Sequence, residues 1–214
     1  ESYAPDKVLT RADFAAILVG FTNSASGVSE NPIMFDDVYE AHYAYNAIKQ
    51  ICELGIMNGT GAGTFEPDAQ ITEIQAASAM IKFLGYERVA ENNGGYPTGY
   101  YSEAVRCGIL SRGSKTDAPL TEERLSVMLK NFADAKMLLT ESVFYNRSGY
   151  GVAYKTGDET VLSAFFDTYH GKGILNATDI SGITDTKAAA DCVIIDSLQY
   201  KYAGGNPPYG MIGC

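Results

Sequence analysis

The strongest constraint on the fold is a segment that occurs three times in the chain. Tyr3–Asp6 followed by Leu9–Phe14 matches Phe65–Asp68 followed by Ile71–Ala76, at a constant offset of 62 residues. A weaker third copy, Pro119–Leu125, follows 49 residues after the second. Such internal offsets are typical of architectures in which each repeat is one supersecondary unit. The repeats favour an attachment or scaffold module over an enzyme.

Each copy carries the same signal for the start of a helix. A threonine precedes each helical stretch, at Thr10, Thr72 and Thr121. A threonine hydroxyl can accept a hydrogen bond from a backbone N–H that the first helical turn leaves unpaired. Asp13 and Gln75 stand three residues after their threonines and approach a capping-box pattern, whereas Arg124 breaks it in the third copy.

Behind each cap, apolar residues recur with the spacing i, i+3, i+4, i+7 of one helix face. The residues are Phe14, Ile17, Leu18 and Phe21 in the first copy, Ala76, Ala79, Met80 and Phe83 in the second, and Leu125, Met128, Leu129 and Phe132 in the third. One such unit can hardly bury its apolar face alone, so we expect the three faces to converge on a common core.

The second copy also shows what precedes the repeated loop. Phe35–Val38 leads into a predicted helix over Tyr43–Cys52, with Ala44, Ile48 and Ile51 facing inward. Gly55 follows, and it suits a left-handed residue at a helix C-terminus. Cys107–Leu110 repeats this ending in the third copy. Each unit is therefore predicted to be helix, glycine-rich loop, helix.

These residues resemble the S-layer homology (SLH) family. The second copy has its pattern almost throughout, at Phe35, Asp37, Val38, Tyr43, Ala44, Gly55, Ile56, Gly59, Gly63, Phe65, Pro67, Ile71, Thr72, Leu84 and Gly85. The resemblance implies a mainly α fold, a pseudo-threefold bundle of helix-loop-helix modules at about 1–30, 31–90 and 91–140.

The resemblance also implies a function. An SLH protein is secreted to the bacterial cell surface and attached without covalent bonds to secondary cell-wall polysaccharide, which is often pyruvylated. No enzymatic activity and no cofactor are expected. The alternative is a structural or protein-interaction module of a surface assembly, with protein partners, that has lost most of its glycan-binding charges.

The expected glycan-binding residues follow from the same resemblance. They are Thr10, Arg11, Asp13, Asp37 and Thr72. In the family, the arginine that directly follows the capping threonine, here called the motif arginine, meets the anionic glycan. Only Arg11 keeps it in this chain, because Glu73 and Glu122 stand at the aligned positions. The planar fork of an arginine suits a carboxylate, which a glutamate would repel. The competing interpretation makes Arg11 an exposed residue in the first turn of a capped helix.

Composition excludes several classes of function. The formal net charge is −10 and the pI is near 4.6, which disfavours nucleic-acid binding. No stretch approaches the roughly 18 apolar residues of a membrane-spanning helix. Two histidines are too few for a histidine-rich metal site, and no HExxH, Walker or nucleophile-elbow motif occurs.

Cys52 and Cys107 fall near the ends of equivalent helices, where buried thiols are favoured and a disulfide is the alternative.

The character of the chain changes after residue 140. Residues 141–214 are predicted to form a small α+β region, the start of a larger domain. Ser142–Lys155 is interpreted as a linker or an irregular strand, and Thr160–Tyr169 as a short amphipathic helix. Strands are predicted from β-branched and aromatic content at Ile174–Ala177, Cys192–Ile195 and Leu198–Tyr202.

Overall fold

The computed structural model describes residues 4–22, 35–114, 116–146, 149–166, 172–178 and 193–199. The chain divides into two compact units, Glu1–Phe165 and Phe166–Cys214. Among the described residues, the first unit is rich in helices and carries a two-stranded sheet, and the second contains a pair of antiparallel strands.

The described elements run in chain order as follows. They are α1 (Arg11–Val19), α2 (Tyr45–Glu53), α3 (Glu73–Phe83), α4 (Glu87–Asn92), α5 (Thr98–Arg106), α6 (Glu122–Ala133), β1 (Lys136–Asn146), β2 (Gly149–Thr160), α7 (Val161–Phe166), β3 (Lys172–Thr178) and β4 (Val193–Gln199).

The three repeated threonines cap α1, α3 and α6, as the repeats predict. Each side-chain oxygen accepts a hydrogen bond from the backbone N–H three residues later. Asp13 and Gln75 accept in return from the N–H of the capping residue, which completes capping boxes on α1 and α3. Arg124 occupies that place in α6, and its guanidinium has donors only, so it cannot accept this bond.

A closed set of backbone hydrogen bonds joins the three repeated segments. The Leu9 N–H donates to the Leu120 carbonyl at 2.9 Å, Leu120 donates to Ile71 at 2.8 Å, and Ile71 donates to Leu9 at 3.1 Å. All three residues are buried. A buried peptide group needs a hydrogen-bond partner, and here each segment supplies one to the next. These bonds hold the starts of α1, α3 and α6 together.

Glycines end the two helices that precede the repeated loops. Gly55 follows α2 at φ 70°, and Gly108 follows α5 at φ 78°. The N–H of Ile56 donates to the Ile51 carbonyl, and that of Ile109 donates to Ala104, which are the six-to-one bonds of Schellman motifs. The predicted left-handed cap at Gly55 is confirmed, and so is its repetition in the third copy.

The apolar helix faces converge as expected. Phe132 is fully buried, and the rings of Phe21 and Phe83 meet it edge-on with centroids at 5.5 and 5.2 Å. Ala44, Ile48 and Ile51 are buried in the same cluster. Leu129 is only partly buried at the edge of this core, so its contribution to stability is smaller than the pattern alone suggests.

Two helical details differ from the sequence prediction. α2 begins at Tyr45 rather than Tyr43, with no side-chain cap on its first turn. α4 was not predicted, because six residues are too few to show a helical period. It packs closely on α5, where a Cβ added to Gly99 would lie 1.9 Å from the Ala90 carbonyl oxygen.

The segment after the third repeat is a hairpin. β1 and β2 pair antiparallel, with register shifts between Lys136 and Leu138 and between Thr140 and Ser142. In the described part of Ser142–Lys155 the chain forms portions of two paired strands, so the linker interpretation is wrong and the single predicted strand is two strands. The Leu138 N–H donates to the Leu84 carbonyl, which ties the start of the hairpin to the end of α3. The short helix predicted after the hairpin is confirmed as α7 within the described residues.

The second unit contains β3 and β4, which pair antiparallel with Lys172 opposite Gln199. β3 confirms the strand predicted at Ile174–Ala177. The two strands predicted at Cys192–Ile195 and Leu198–Tyr202 are instead one described strand, Val193–Gln199, because no turn interrupts it. Cys192 and residues 200–202 lie outside the described residues.

Candidate functional site

Each of α1, α3 and α6 begins against a loop of another repeat, and we call these contacts the first, second and third junctions. In the first, the N–H groups of Arg11 and Ala12 donate to the carbonyls of Ala69 and Pro67. In the second, Glu73 and Ile74 donate in the same way to Ala118 and Thr116. In the third, Glu122 and Glu123 donate to Lys7 and Pro5. The three junctions therefore share one backbone geometry and differ in side chains.

Arg11 is the centre of the first junction, and it is buried, with 7% of its surface exposed. Its Nε donates to the Phe65 carbonyl at 2.8 Å and its Nη2 to the Asn58 carbonyl at 2.9 Å. The guanidinium also lies over the Phe65 ring, 4.6 Å from the centroid. The interpretation of Arg11 as an exposed first-turn residue is thus wrong, because the side chain clamps the glycine-rich loop.

The electrostatic surroundings of Arg11 are mixed. Burial lowers the pKa of its guanidinium, while the nearby carboxylates of Glu66 and Asp37 act in the opposite direction. An arginine nevertheless stays protonated in a protein. The first junction therefore holds a permanent positive charge that is already surrounded by acidic groups.

Asp37 holds the other side of the same loop. Its Oδ1 accepts from the Phe65 N–H at 2.9 Å and its Oδ2 accepts from the Glu66 N–H at 2.7 Å. Glu66 has φ 57°, a left-handed conformation that is uncommon for a residue with a side chain. Arg11 and Asp37 thus bind the carbonyl and the amide of Phe65 from two directions and fix the loop conformation.

The rim of the first junction carries polar and aromatic groups. The Tyr43 hydroxyl donates to Asp13 Oδ1 at 2.7 Å, and the Tyr43 ring stacks on His42 with centroids 4.7 Å apart. Tyr43 is 68% exposed. Burial alone would raise the pKa of Asp13, but hydrogen bonds from Tyr43 and Thr10 outweigh it, and the pKa is lowered. Asp13 is therefore a carboxylate at neutral pH.

The second and third junctions carry glutamates that are paired with cations. Glu73 Oε2 lies 3.0 Å from Nε of Arg124, whose Nη2 donates to Ser114 Oγ at 3.1 Å. Glu122 Oε1 lies 3.5 Å from Nζ of Lys7. The carboxylates at the two aligned motif positions are thus compensated within the protein.

Four of the five residues predicted for the site come together in the structure. Thr10, Arg11, Asp13 and Asp37 lie at the first junction, whereas Thr72 caps α3 and belongs to the second. In the sequence, Tyr43 is one of the residues of the family pattern and Arg124 is a break in the capping-box pattern, and neither is assigned a role in the site. The one signal available for Arg124 was its position, three residues after a capping threonine.

The described residues also include a cavity and two cysteine thiols. A cavity of about 280 Å³ is lined by Thr22, Gln50, Leu54, Ile56, Lys82, Phe83 and Phe165, none of which was a predicted site residue. Cys52 and Cys107 are free thiols, so the disulfide alternative is not what the structure shows, and burial raises the pKa of each to about 11.

Within the described residues, no cluster of three acidic, histidine or cysteine side chains could hold a metal ion. None of the helices described combines the length and apolar character that crossing a membrane requires.

Part of the first junction matches a known protein family. Residues 35–77, which include Asp37, Tyr43 and the clamped loop, match the family model described as S-layer homology domain. The chain contains an S-layer homology domain. The matched SLH segment lies within the second repeat and ends within α3.

Relatives of this chain are named as proteins of bacterial surfaces. A "Cell surface protein" of Thermoanaerobacter kivui is 25% identical over 153 residues, which are 65% of this chain and 19% of that protein. A "Cellulosome-anchoring protein" of Acetivibrio thermocellus is 35% identical over 85 residues, 38% of this chain and 19% of that protein. A "Surface-layer 125 kDa protein" of Lysinibacillus sphaericus is 34% identical over 80 residues, 37% of this chain and 6% of that protein. The chain spans at most a fifth of the length of these relatives, and their character supports a secreted, cell-surface location.

Proposed function

We propose that this chain attaches a secreted protein to the bacterial cell wall without covalent bonds, by binding secondary cell-wall polysaccharide. The observation that carries the proposal is the SLH match over 35–77, which contains the loop that Arg11 and Asp37 clamp. The relatives named for surface layers and cellulosome anchoring support the same role.

We propose the first junction as the main glycan site, with a division of labour among its residues. Arg11 and Asp37 shape the loop from beneath, and Thr10 and Asp13 offer polar groups at the rim. The exposed Tyr43 ring gives an apolar face on which the C–H face of a sugar can pack, while its hydroxyl stays hydrogen-bonded to Asp13. Thr72 caps α3 at the corresponding position of the second junction.

The proposed architecture is the pseudo-threefold bundle of SLH modules at about 1–30, 31–90 and 91–140, with a small α+β region over 141–214. The closed ring of hydrogen bonds among Leu9, Ile71 and Leu120 supports it, because each segment donates once and accepts once. The common backbone pattern of the three junctions supports it further.

A pyruvylated glycan is the proposed ligand, and its carboxylate makes binding sensitive to salt. The chain carries a net charge of −10, so long-range repulsion opposes an acidic polymer and short-range contacts must overcome it. Calorimetry with purified polysaccharide, before and after removal of its pyruvyl groups, tests this. We expect weak binding that requires the pyruvyl groups.

Variants at the rim locate the site. Tyr43→Ala should weaken polysaccharide binding about fivefold, because the loss of one stacking face removes on the order of 1 kcal/mol. The matched control is Tyr96→Ala, which removes another exposed tyrosine, 56% exposed, in the third repeat. Equal binding by both variants and the parent would place the glycan elsewhere.

The second candidate is a structural or protein-interaction module of a surface assembly. The observation that favours it is the internal pairing of Glu73 with Arg124 and of Glu122 with Lys7, which uses the motif positions to join repeats. Absence of polysaccharide binding by the parent chain would select this function.

A further inference from the structure

Arg124 stands three residues after the capping Thr121 of α6, which is not the position of the ligand-binding arginine in the family. Its Nε bonds to Glu73 at 3.0 Å, and Glu73 stands where the motif arginine would be in the second junction. A guanidinium is thus present at this junction although the aligned residue is acidic. It comes from the first turn of α6 rather than from α3.

Part of the Arg124 side chain is accessible. The Glu73 side chain is 11% exposed and that of Arg124 is 28% exposed, so the carboxylate is the deeper partner and the arginine the outer one. The bonds to Glu73 and Ser114 engage two of the five N–H donors of the guanidinium. Its planar fork can still offer a donor pair to a carboxylate from outside.

The charges around the second junction also favour an anion more than those of the first. Glu73 is neutralised by Arg124, and exposed Arg112 lies on the same loop as Ser114. Asp117 is the exposed acid of this loop, and it accepts from the Thr116 hydroxyl. At the first junction, by contrast, Arg11 is buried beside Glu66 and Asp37.

We propose that Arg124 is a ligand-binding residue of the second junction, where it meets the carboxylate of an acidic wall glycan, and that Glu73 orients it. This inference rests on the proposed function, because it assigns a further contact to the same class of ligand. It reverses the expectation from sequence that a glutamate at the motif position disables this junction.

The test uses a defined probe, a methyl hexoside that carries a pyruvate ketal, with the ketal-free hexoside beside it. Dissociation constants are measured by NMR titration of the 214-residue chain and its variants. Glu73→Gln removes the competing carboxylate and should tighten binding of the ketal glycoside about threefold. Glu73→Gln combined with Arg124→Gln should bind it about tenfold more weakly than Glu73→Gln alone.

The double variant avoids a stranded buried charge, since both partners become neutral and can still hydrogen-bond to each other. Arg88→Gln is the matched control, because it removes one exposed arginine from α4 and should bind as the parent does. The ketal-free hexoside should not distinguish these chains. Equal binding of the ketal glycoside by Glu73→Gln and the double variant, or no binding by either, would overturn the proposal.

Failure of this inference is distinguishable from failure of the proposed function. Suppose that the double variant binds wall polysaccharide as the parent does, whereas Tyr43→Ala binds it more weakly. That result would support attachment to the polysaccharide and contradict the role of Arg124. If the parent does not bind wall polysaccharide at all, attachment falls, and the glycoside titration still decides whether Arg124 binds a carboxylate.

Discussion

Replacement of Arg11 by methionine separates the structural role of this residue from its charge. Methionine keeps an unbranched apolar stem that can remain on the Phe65 ring, but it has no N–H donors. The change therefore leaves the carbonyls of Phe65 and Asn58 without the bonds that Arg11 now makes at 2.8 and 2.9 Å. It also removes the cation over the ring.

The expected loss of stability is about 2–4 kcal/mol. Each hydrogen bond to a charged group contributes roughly 1.5–3 kcal/mol, and the cation–π contact adds about 0.5–2 kcal/mol. The desolvation cost of the buried guanidinium disappears in the variant and offsets part of this sum. A net loss near the middle of the range follows.

The assay is urea unfolding followed by the helical circular dichroism signal, with the slope compared between parent and variant. Arg88→Met, on the exposed face of α4, is the control and should change stability by no more than about 0.5 kcal/mol. A loss below about 1 kcal/mol for Arg11→Met would refute the clamp, because it would mean that these two bonds contribute no net stability.

Further substitutions test the cap of α3, the core and the carboxylate of Asp13. Thr72→Ala should cost about 1 kcal/mol through the lost cap of α3, and Thr72→Ser should cost less, as measured by urea unfolding. Phe132→Ala should cost about 3–5 kcal/mol, and Leu129→Ala should cost less than about 2 kcal/mol because Leu129 is only partly buried. The carboxylate of Asp13 has a folded pKa below 3.8, so its stabilising effect is present above pH 3.8 and is lost as the pH falls through the folded value. The stability difference between parent and Asp13→Asn should therefore shrink on acidification.

Each of these expectations has a contrary result. Equal stability of parent and Thr72→Ala would mean that the cap contributes nothing. A cost for Leu129→Ala as large as for Phe132→Ala would contradict the placement of Leu129 at the edge of the core. A difference between parent and Asp13→Asn that is constant from neutral to acidic pH would show that the hydrogen bonds from Tyr43 and Thr10 do not favour the carboxylate.

The repeats made the helical part of the fold predictable because they carry local signals. Capping threonines, the i, i+3, i+4, i+7 spacing and a left-handed glycine such as Gly55 each act within a few residues of one another. α4 lacked such a signal, since six residues give less than two turns. The β1–β2 hairpin was ambiguous because its glycines and serines suit a linker as well as a strand.

The site was only partly predictable, because its contacts join residues that are far apart in the chain. The position of Arg11 in a motif indicated a cation at the first junction, but not that Phe65 and Asn58 would enclose it. The sequence likewise showed Glu73 as an isolated acid, since its partner Arg124 is 51 residues away. Long-range pairs of this kind depend on how the repeats pack, which no local pattern encodes.

The most direct test of wall attachment is co-sedimentation of the 214-residue chain with bacterial wall sacculi. One sample keeps its secondary cell-wall polysaccharide, and a matched sample has been stripped of it with hydrofluoric acid. We predict that the chain pellets with the first sample and stays in solution with the second. Equal sedimentation with both samples, or with neither, would contradict attachment through the polysaccharide.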